Sequence, residues 1–225
     1  NVMVKLLLAG TGLIGHRHMQ HILEHPDLEL VGVIDPLITD EKIEGVKTYH
    51  SLNDVNNVAE GIILATPTET HADLTIQSLE MGLHVLVEKP VAASLQEADK
   101  MIRASEKTGL SILVGHHRRH HPLVNETINI IKSGKIGRPV AASLMWLMRK
   151  QDEYFDVEWR KGIDGGPIKQ NLIHDVDTLR AFFGEIISVV GSGTNIVRNA
   201  KRHENGGVVL GLSLIHISEP TRQSL

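Results

Sequence analysis

Cysteine is absent from this 225-residue chain, so no disulfide framework can exist, which suits a reducing compartment. Net charge is nearly absent too. With 23 basic and 27 acidic side chains the formal charge is −4, and nothing draws the protein to nucleic acid or an anionic membrane. No apolar run approaches the length that spans a bilayer. The N-terminus lacks the charged-then-apolar segment and cleavage site of a signal peptide, so a cytoplasmic setting is expected. It also lacks a starting methionine, which leaves room for residues upstream of Asn1. Aromatic residues make up only 3 % of the chain, yet 41 % is hydrophobic, enough at this length to bury a core in one or two domains. There is no internal repeat and no low-complexity linker.

What is present is alternation. VMVKLLLAG predicts a short buried strand over 3–9, and LELVGVID, GIILATP, LHVLVEKP and LSILVGHH predict four more. After the first strand, HRHMQHILEH continues a helix with apolar Leu13, Ile14, Ile22 and Leu23 at helical spacing. TETHADLTIQSLEMG and SLQEADKMIRASEKTG read as helices that stop at glycine. Strands alternating with helices of this length imply an α/β fold with a doubly wound parallel sheet covered on both faces. From about Pro122 the pattern changes. LVNETINIIKSGKIG predicts an amphipathic helix whose stripe of Val124, Ile128 and Ile131 is core, and RPVAASLMWLM predicts a longer strand. GGPIKQNLIHDVDTLRAFFG predicts a glycine turn and helix, and EIISVVGSGTNIV another strand, as in a second, mixed domain left incomplete. The expected division is 1–121, 122–211 and 212–225.

The last of these segments reads as foreign. LSLIHISEPTR, residues 212–222, is what a DNA string resembling a transposase-end sequencing adapter encodes, so 212–225 are expected to be non-native and the gene cut near Gly211.

Between the first strand and first helix stands GTGLIG, the pattern G-x-G-x-x-G. Glycine permits a tight turn, lets a pyrophosphate approach the backbone and lets the helix pack on the sheet. The helix N-terminus offers free N–H groups and partial positive charge to phosphates. Gly10, Gly12, Leu13, Ile14 and Gly15 are therefore candidate cofactor-binding residues. Asp35 ends the second strand, 20 residues after Gly15, where a carboxylate can accept hydrogen bonds from a ribose 2′-OH and would repel a 2′-phosphate. No arginine follows it directly, so NAD is favoured over NADP.

In a doubly wound sheet, ligands bind beyond the carboxyl ends of the strands. Three more strand ends should face that crevice: Ala65-Thr66-Pro67, Glu88-Lys89-Pro90 and Gly115-His116-His117-Arg118. A lysine near a cationic nicotinamide and other basic groups can have a lowered pKa, which suits Lys89 to proton transfer.

GTGLIG, ATPTETH, VLVEKP, GHHRRHHP and GGPIKQNLIHDVD together resemble the glucose–fructose oxidoreductase/inositol dehydrogenase (Gfo/Idh/MocA) family, over nearly all of residues 4–211. The resemblance implies an N-terminal Rossmann domain and a C-terminal α+β domain on a mostly antiparallel sheet, assembling as a homodimer or homotetramer. It implies hydride transfer between NAD(P) and a secondary alcohol of a sugar or cyclic polyol. By position it makes Lys89 the residue that holds the reacting hydroxyl and assists proton transfer, and His174 the general acid/base. Glu88 would contact the nicotinamide-side ribose, Thr66, Pro67, His71 and His117 the cofactor cleft, and Arg118 and Asp177 the substrate. Gln170, His174 and Asp177 share a helical face by their spacing of four and three. Gln170 departs from the family, whose polyol dehydrogenases often carry aspartate there; Gln cannot stabilise His⁺ by charge, so chemistry leans more on Lys89. Trp159 and Arg160 could border the nicotinamide pocket by the same resemblance, or simply pack.

Other signals carry less. His18, His21 and His25 lie on one helical face, but they lack the tighter ligand set and further partners of a zinc site, and no metal is expected. Two alternatives to a dehydrogenase stay open: an NAD-assisted glycosidase or lyase of the same family, and a non-catalytic dinucleotide-sensing regulator.

Overall fold

A computed structural model of the chain describes residues 3–56, 58–145, 151, 153, 156, 171–192 and 209–214. The chain divides into two compact units, Asn1–Gly115 and His116–Leu225.

In the first unit strands and helices alternate: β1 (Val4–Ala9), α1 (Leu13–Glu24), β2 (Leu28–Ile34), β3 (Lys42–Ile43), β4 (Val46–Tyr49), β5 (Gly61–Leu64), α2 (His71–Glu80), β6 (His84–Val87), α3 (Leu95–Thr108) and β7 (Ile112–Val114). They form one sheet in the order β3-β4-β2-β1-β5-β6-β7, parallel except for the β3–β4 pair. The chain runs outward from β1 in both directions, through β2 on one side and β5 on the other, which makes the carboxyl end of β1 the topological switch point.

Alternate side chains of the strands feed two cores. Leu7, Ala9, Ile62, Leu64, Val85 and Val87 pack with Ala72 and Leu79 of α2 and Met101 of α3. Leu8, Val33 and Ile63 face the other way and pack with Met19 and Ile22 of α1. Leu8, Val33, Leu64 and Val87 are fully buried, and each such side chain contributes about 1.5–3 kcal/mol of hydrophobic stabilisation. Leu13, Ile14 and Leu23, which the helical spacing grouped with Ile22, are exposed instead; α1 buries Gly15, Met19 and Ile22. The β3–β4 hairpin is absent from the sequence reading. Its two-residue turn is Glu44-Gly45, both at positive φ (49° and 81°), a conformation usually announced by Asn-Gly or Asp-Gly.

The second unit contains a short 3₁₀ turn (His117–His120), α4 (Pro122–Lys132), α5 (Ile173–Phe183), and β8 (Ile186–Ser192) paired antiparallel with β9 (Val209–Leu214). The α4 stripe of Val124, Ile128 and Ile131 is half-buried, not the closed core expected of it. The strand expected over RPVAASLMWLM does not form across residues 138–145, where Val140 is 94 % exposed. Alternation supplies a strand's pattern, but a strand also needs a hydrogen-bonded neighbour, and among the described residues none pairs with this stretch. No helix among the described residues is long and apolar enough to cross a membrane.

Candidate active site

Beyond β1 the chain turns through Gly10, which holds φ +93°; a Cβ there would come within 2.5 Å of the Ala65 carbonyl oxygen. Gly15, one turn into α1, lies so close to the Gly10 carbonyl that an added Cβ would overlap it, so the helix packs against its own turn. Gly12 is different. It precedes the helix at φ −66°, and a Cβ on it would meet nothing within 4 Å. That open face lies beside the first amides of α1, Leu13 and Ile14, which as first-turn N–H groups have no intrahelical acceptor. A dinucleotide's pyrophosphate fits this cradle.

Asp35, at the carboxyl end of β2, is tied to the same turn. Its Oδ2 accepts from the Thr11 amide at 2.9 Å and the Thr11 hydroxyl at 2.6 Å, and its Oδ1 from the Leu37 amide at 3.0 Å. Burial raises the Asp35 pKa, but the Thr11 and Leu37 hydrogen bonds outweigh it and hold the carboxyl below its ordinary value. The carboxylate keeps lone pairs to accept ribose hydroxyls. Sequence and structure agree on where the turn and its acid stand, and both fit NAD.

The Glu88–Lys89–Pro90 turn leaves β6, with Lys89 half-buried and its bond to Pro90 cis. Glu88 does not project into open space. Its Oε1 lies 2.9 Å from His18 Nε2 on α1, and its Oε2 accepts the Lys89 amide at 3.2 Å. Gly115 makes room, since a Cβ there would be 3.0 Å from the Glu88 carboxyl carbon. Burial pushes the Glu88 pKa up, yet His18 and the Lys89 amide reverse this and leave it lowered. Thr66 Oγ1 accepts from Thr70, and Pro67 caps the 3₁₀ turn Thr68–Thr70 by accepting the Thr70 amide at 3.0 Å. His71, expected in the cofactor cleft, is only 1 % exposed, and its ring reaches the Pro90 carbonyl at 2.9 Å and the Thr66 carbonyl at 3.0 Å. It is a strut between two turns, because both ring nitrogens are spent on backbone.

In the second unit the buried His174 of α5 packs edge-on against His117 (centroids 4.8 Å apart) and His116 (6.2 Å). Two ion pairs flank these rings. Arg118, expected to reach substrate, bonds Asp175 Oδ1 at 2.9 Å. Asp177, also expected at the substrate, takes Arg119 Nε at 3.0 and 3.2 Å and Arg119 Nη2 at 2.5 Å. Burial raises the Asp177 pKa, but Arg119, His116 and Arg180 bring it below its ordinary value. Asp175 moves the other way, because burial outweighs Arg118. Arg119 and Asp175 were missed by sequence reading. HHRRHH and HDVD hold the two arginines and two aspartates, but only the packing of the 3₁₀ turn on α5 pairs them in order. Gln170, Trp159 and Arg160 lie outside the described residues.

A family model for oxidoreductases with an NAD-binding Rossmann fold (GFO_IDH_MocA) matches residues 4–116, and one for the GFO/IDH/MocA C-terminal domain matches residues 124–214. The scyllo-inositol 2-dehydrogenase (NAD(+)) of Bacillus subtilis (strain 168) is 31 % identical over 223 residues, covering 94 % of this chain and 63 % of that protein. A myo-inositol dehydrogenase structure from Corynebacterium glutamicum aligns with TM-score 0.73 at 26 % identity, over 94 % of this chain and 65 % of that one. The WlbA dehydrogenase of Bordetella pertussis, solved with NADH and UDP-GlcNAcA, shares the fold with TM-score 0.79 at 22 % identity, over 97 % and 69 % of the two chains. The chain spans 57 to 63 % of the length of curated relatives such as the B. subtilis enzyme. Matched by both family models, and carrying the glycine turn, its aspartate and the Glu-Lys-Pro turn in place, the chain belongs to the Gfo/Idh/MocA family of oxidoreductases with an NAD-binding Rossmann fold.

Proposed function

We propose that this protein is an NAD-dependent oxidoreductase transferring a hydride between nicotinamide and a secondary alcohol of a sugar, cyclic polyol or related compound. The observation that carries this reading is Lys89, an amine in a turn beyond the carboxyl end of β6, in the unit that bears the Gly10–Gly15 cradle and Asp35. The amides of the glycine turn would hold the pyrophosphate, and Asp35 the adenine-side ribose. When bound, NAD supplies the hydride acceptor or donor. Lys89 would orient the reacting hydroxyl and take or return its proton, and His174, in the second unit, would serve as a general acid/base. The inositol dehydrogenases among its relatives support a polyol or sugar as substrate. The full-length form would be a cytoplasmic homodimer or homotetramer.

The test is NADH formation from NAD with a panel of sugars and inositols, using the full-length protein. At least one polyol should yield NADH, and Lys89→Met should cut that rate roughly 100-fold or more while NADH still binds. An intact rate in Lys89→Met would refute the assignment of the amine.

A further inference from the structure

We infer that His18 and His71 are positioning residues: from α1 and α2 they clamp the Glu88–Pro90 turn on both sides of Lys89 and so fix where its amine stands. The inference rests on the role given to Lys89 above. Among the described residues, the strand-type hydrogen bonds of β6 reach as far as the Glu88 amide, which bonds the Leu64 carbonyl at 2.9 Å. Past that point, among the described residues, two contacts reach the backbone from either side of Lys89. On the near side the Lys89 amide donates to Glu88 Oε2 at 3.2 Å, and that carboxylate is itself held by His18 Nε2 at 2.9 Å. On the far side the Pro90 carbonyl meets His71 Nδ1 at 2.9 Å.

Each contact is anchored to something rigid. His18 stands one turn beyond the glycine cradle, so the pair with Glu88 ties the helix that would receive the pyrophosphate to the turn that carries the amine. His71 opens α2, and its other nitrogen meets the Thr66 carbonyl at 3.0 Å, linking the turns after two adjacent strands. An imidazole is suited to this because its nitrogens lie at opposite edges of a flat ring. The neutral ring donates to one of the two carbonyls and the doubly protonated ring to both. Leucine would fill similar space and bond neither. The amine sits on a long stem that starts from this backbone, so anchoring the backbone narrows the region the amine can occupy, and misplacement of about 1 Å can cost roughly 100-fold in rate.

The test compares hydrogen-bonding with apolar replacements in the full-length protein: His18→Gln and His18→Leu, His71→Gln, His71→Asn and His71→Leu. Glutamine sets its amide nitrogen near the position of Nε2 and asparagine near that of Nδ1. Three quantities are read: kcat with a turned-over polyol, NADH affinity by fluorescence titration, and hydrogen–deuterium exchange of the Lys89 amide. Both leucine variants should lose about tenfold or more in kcat. They should also exchange the Lys89 amide roughly fivefold faster, with NADH affinity nearly unchanged. His18→Gln should recover most of the loss, and the two polar His71 variants, each keeping one bond, should fall between His71→Leu and the parent. Leucine variants that match the parent in rate and exchange would overturn the clamp. So would polar variants no better than leucine, which would mean packing alone, or a loss of NADH affinity as large as the loss of rate, which would make the histidines cofactor ligands. Should the parent protein oxidise no alcohol at all, the proposed reaction falls while the exchange series still decides the clamp.

Discussion

Gly12 and Gly15 belong to one motif, yet the structure gives them opposite tasks, and alanine at each position separates binding from stability. At Gly12 the added methyl meets nothing within 4 Å, and φ −66° suits any residue. Exchanging glycine for alanine at this helix-capping position should cost about 1 kcal/mol or less in stability. The same methyl occupies the open face where a phosphate would reach the first amides of α1. Losing one or two charge-assisted hydrogen bonds of about 1.5–3 kcal/mol each should weaken NADH binding roughly 10- to 100-fold or more. At Gly15 the methyl overlaps the Gly10 carbonyl, a backbone atom that cannot step aside. Overpacking of about 1–3 kcal/mol should lower the melting temperature by roughly 5–15 °C. The assay is a thermal melt of each variant beside an NADH titration. If Gly12→Ala binds NADH like the parent, the cradle is not where the phosphates lie. A Gly15→Ala protein that melts with the parent would show the helix–turn contact to be looser than described.

Two further outcomes follow from the ion pairs. Arg119→Met strips three side-chain hydrogen bonds from a buried carboxylate and should destabilise the second unit by about 1.5–3 kcal/mol, seen as a lower melting temperature. An unshifted melt would mean that Asp177 finds water or another partner at no cost. Glu88 has a lowered pKa, so its contribution to stability is present above its ordinary value of 4.5 and is lost as pH falls through the lower folded value. Glu88→Gln should therefore flatten part of the acid limb of a stability–pH profile. Parallel acid limbs in the two proteins would count against the His18–Glu88 pairing.

Much of the first unit was legible in the chain itself, because a parallel strand buried on both faces is continuously apolar and its turn favours glycine where φ is positive. GTGLIG, Asp35 and Glu88-Lys89-Pro90 could be placed at strand ends for that reason alone. The hairpin at Glu44-Gly45 escaped because its turn lacks the usual Asn or Asp, and the strand sought from Arg138 does not form across residues 138–145 because pattern cannot supply a hydrogen-bonded neighbour. The sequence by itself determined the strand–helix rhythm, the glycine turn and the charge inventory, all of which depend on residues near one another in the chain. Only the tertiary structure decided how the polar groups are spent: His18 on Glu88, His71 on two carbonyls, Arg118 on Asp175 and Arg119 on Asp177. A hydrogen bond is a matter of a few ångströms between residues up to 70 positions apart, and no local pattern encodes that distance.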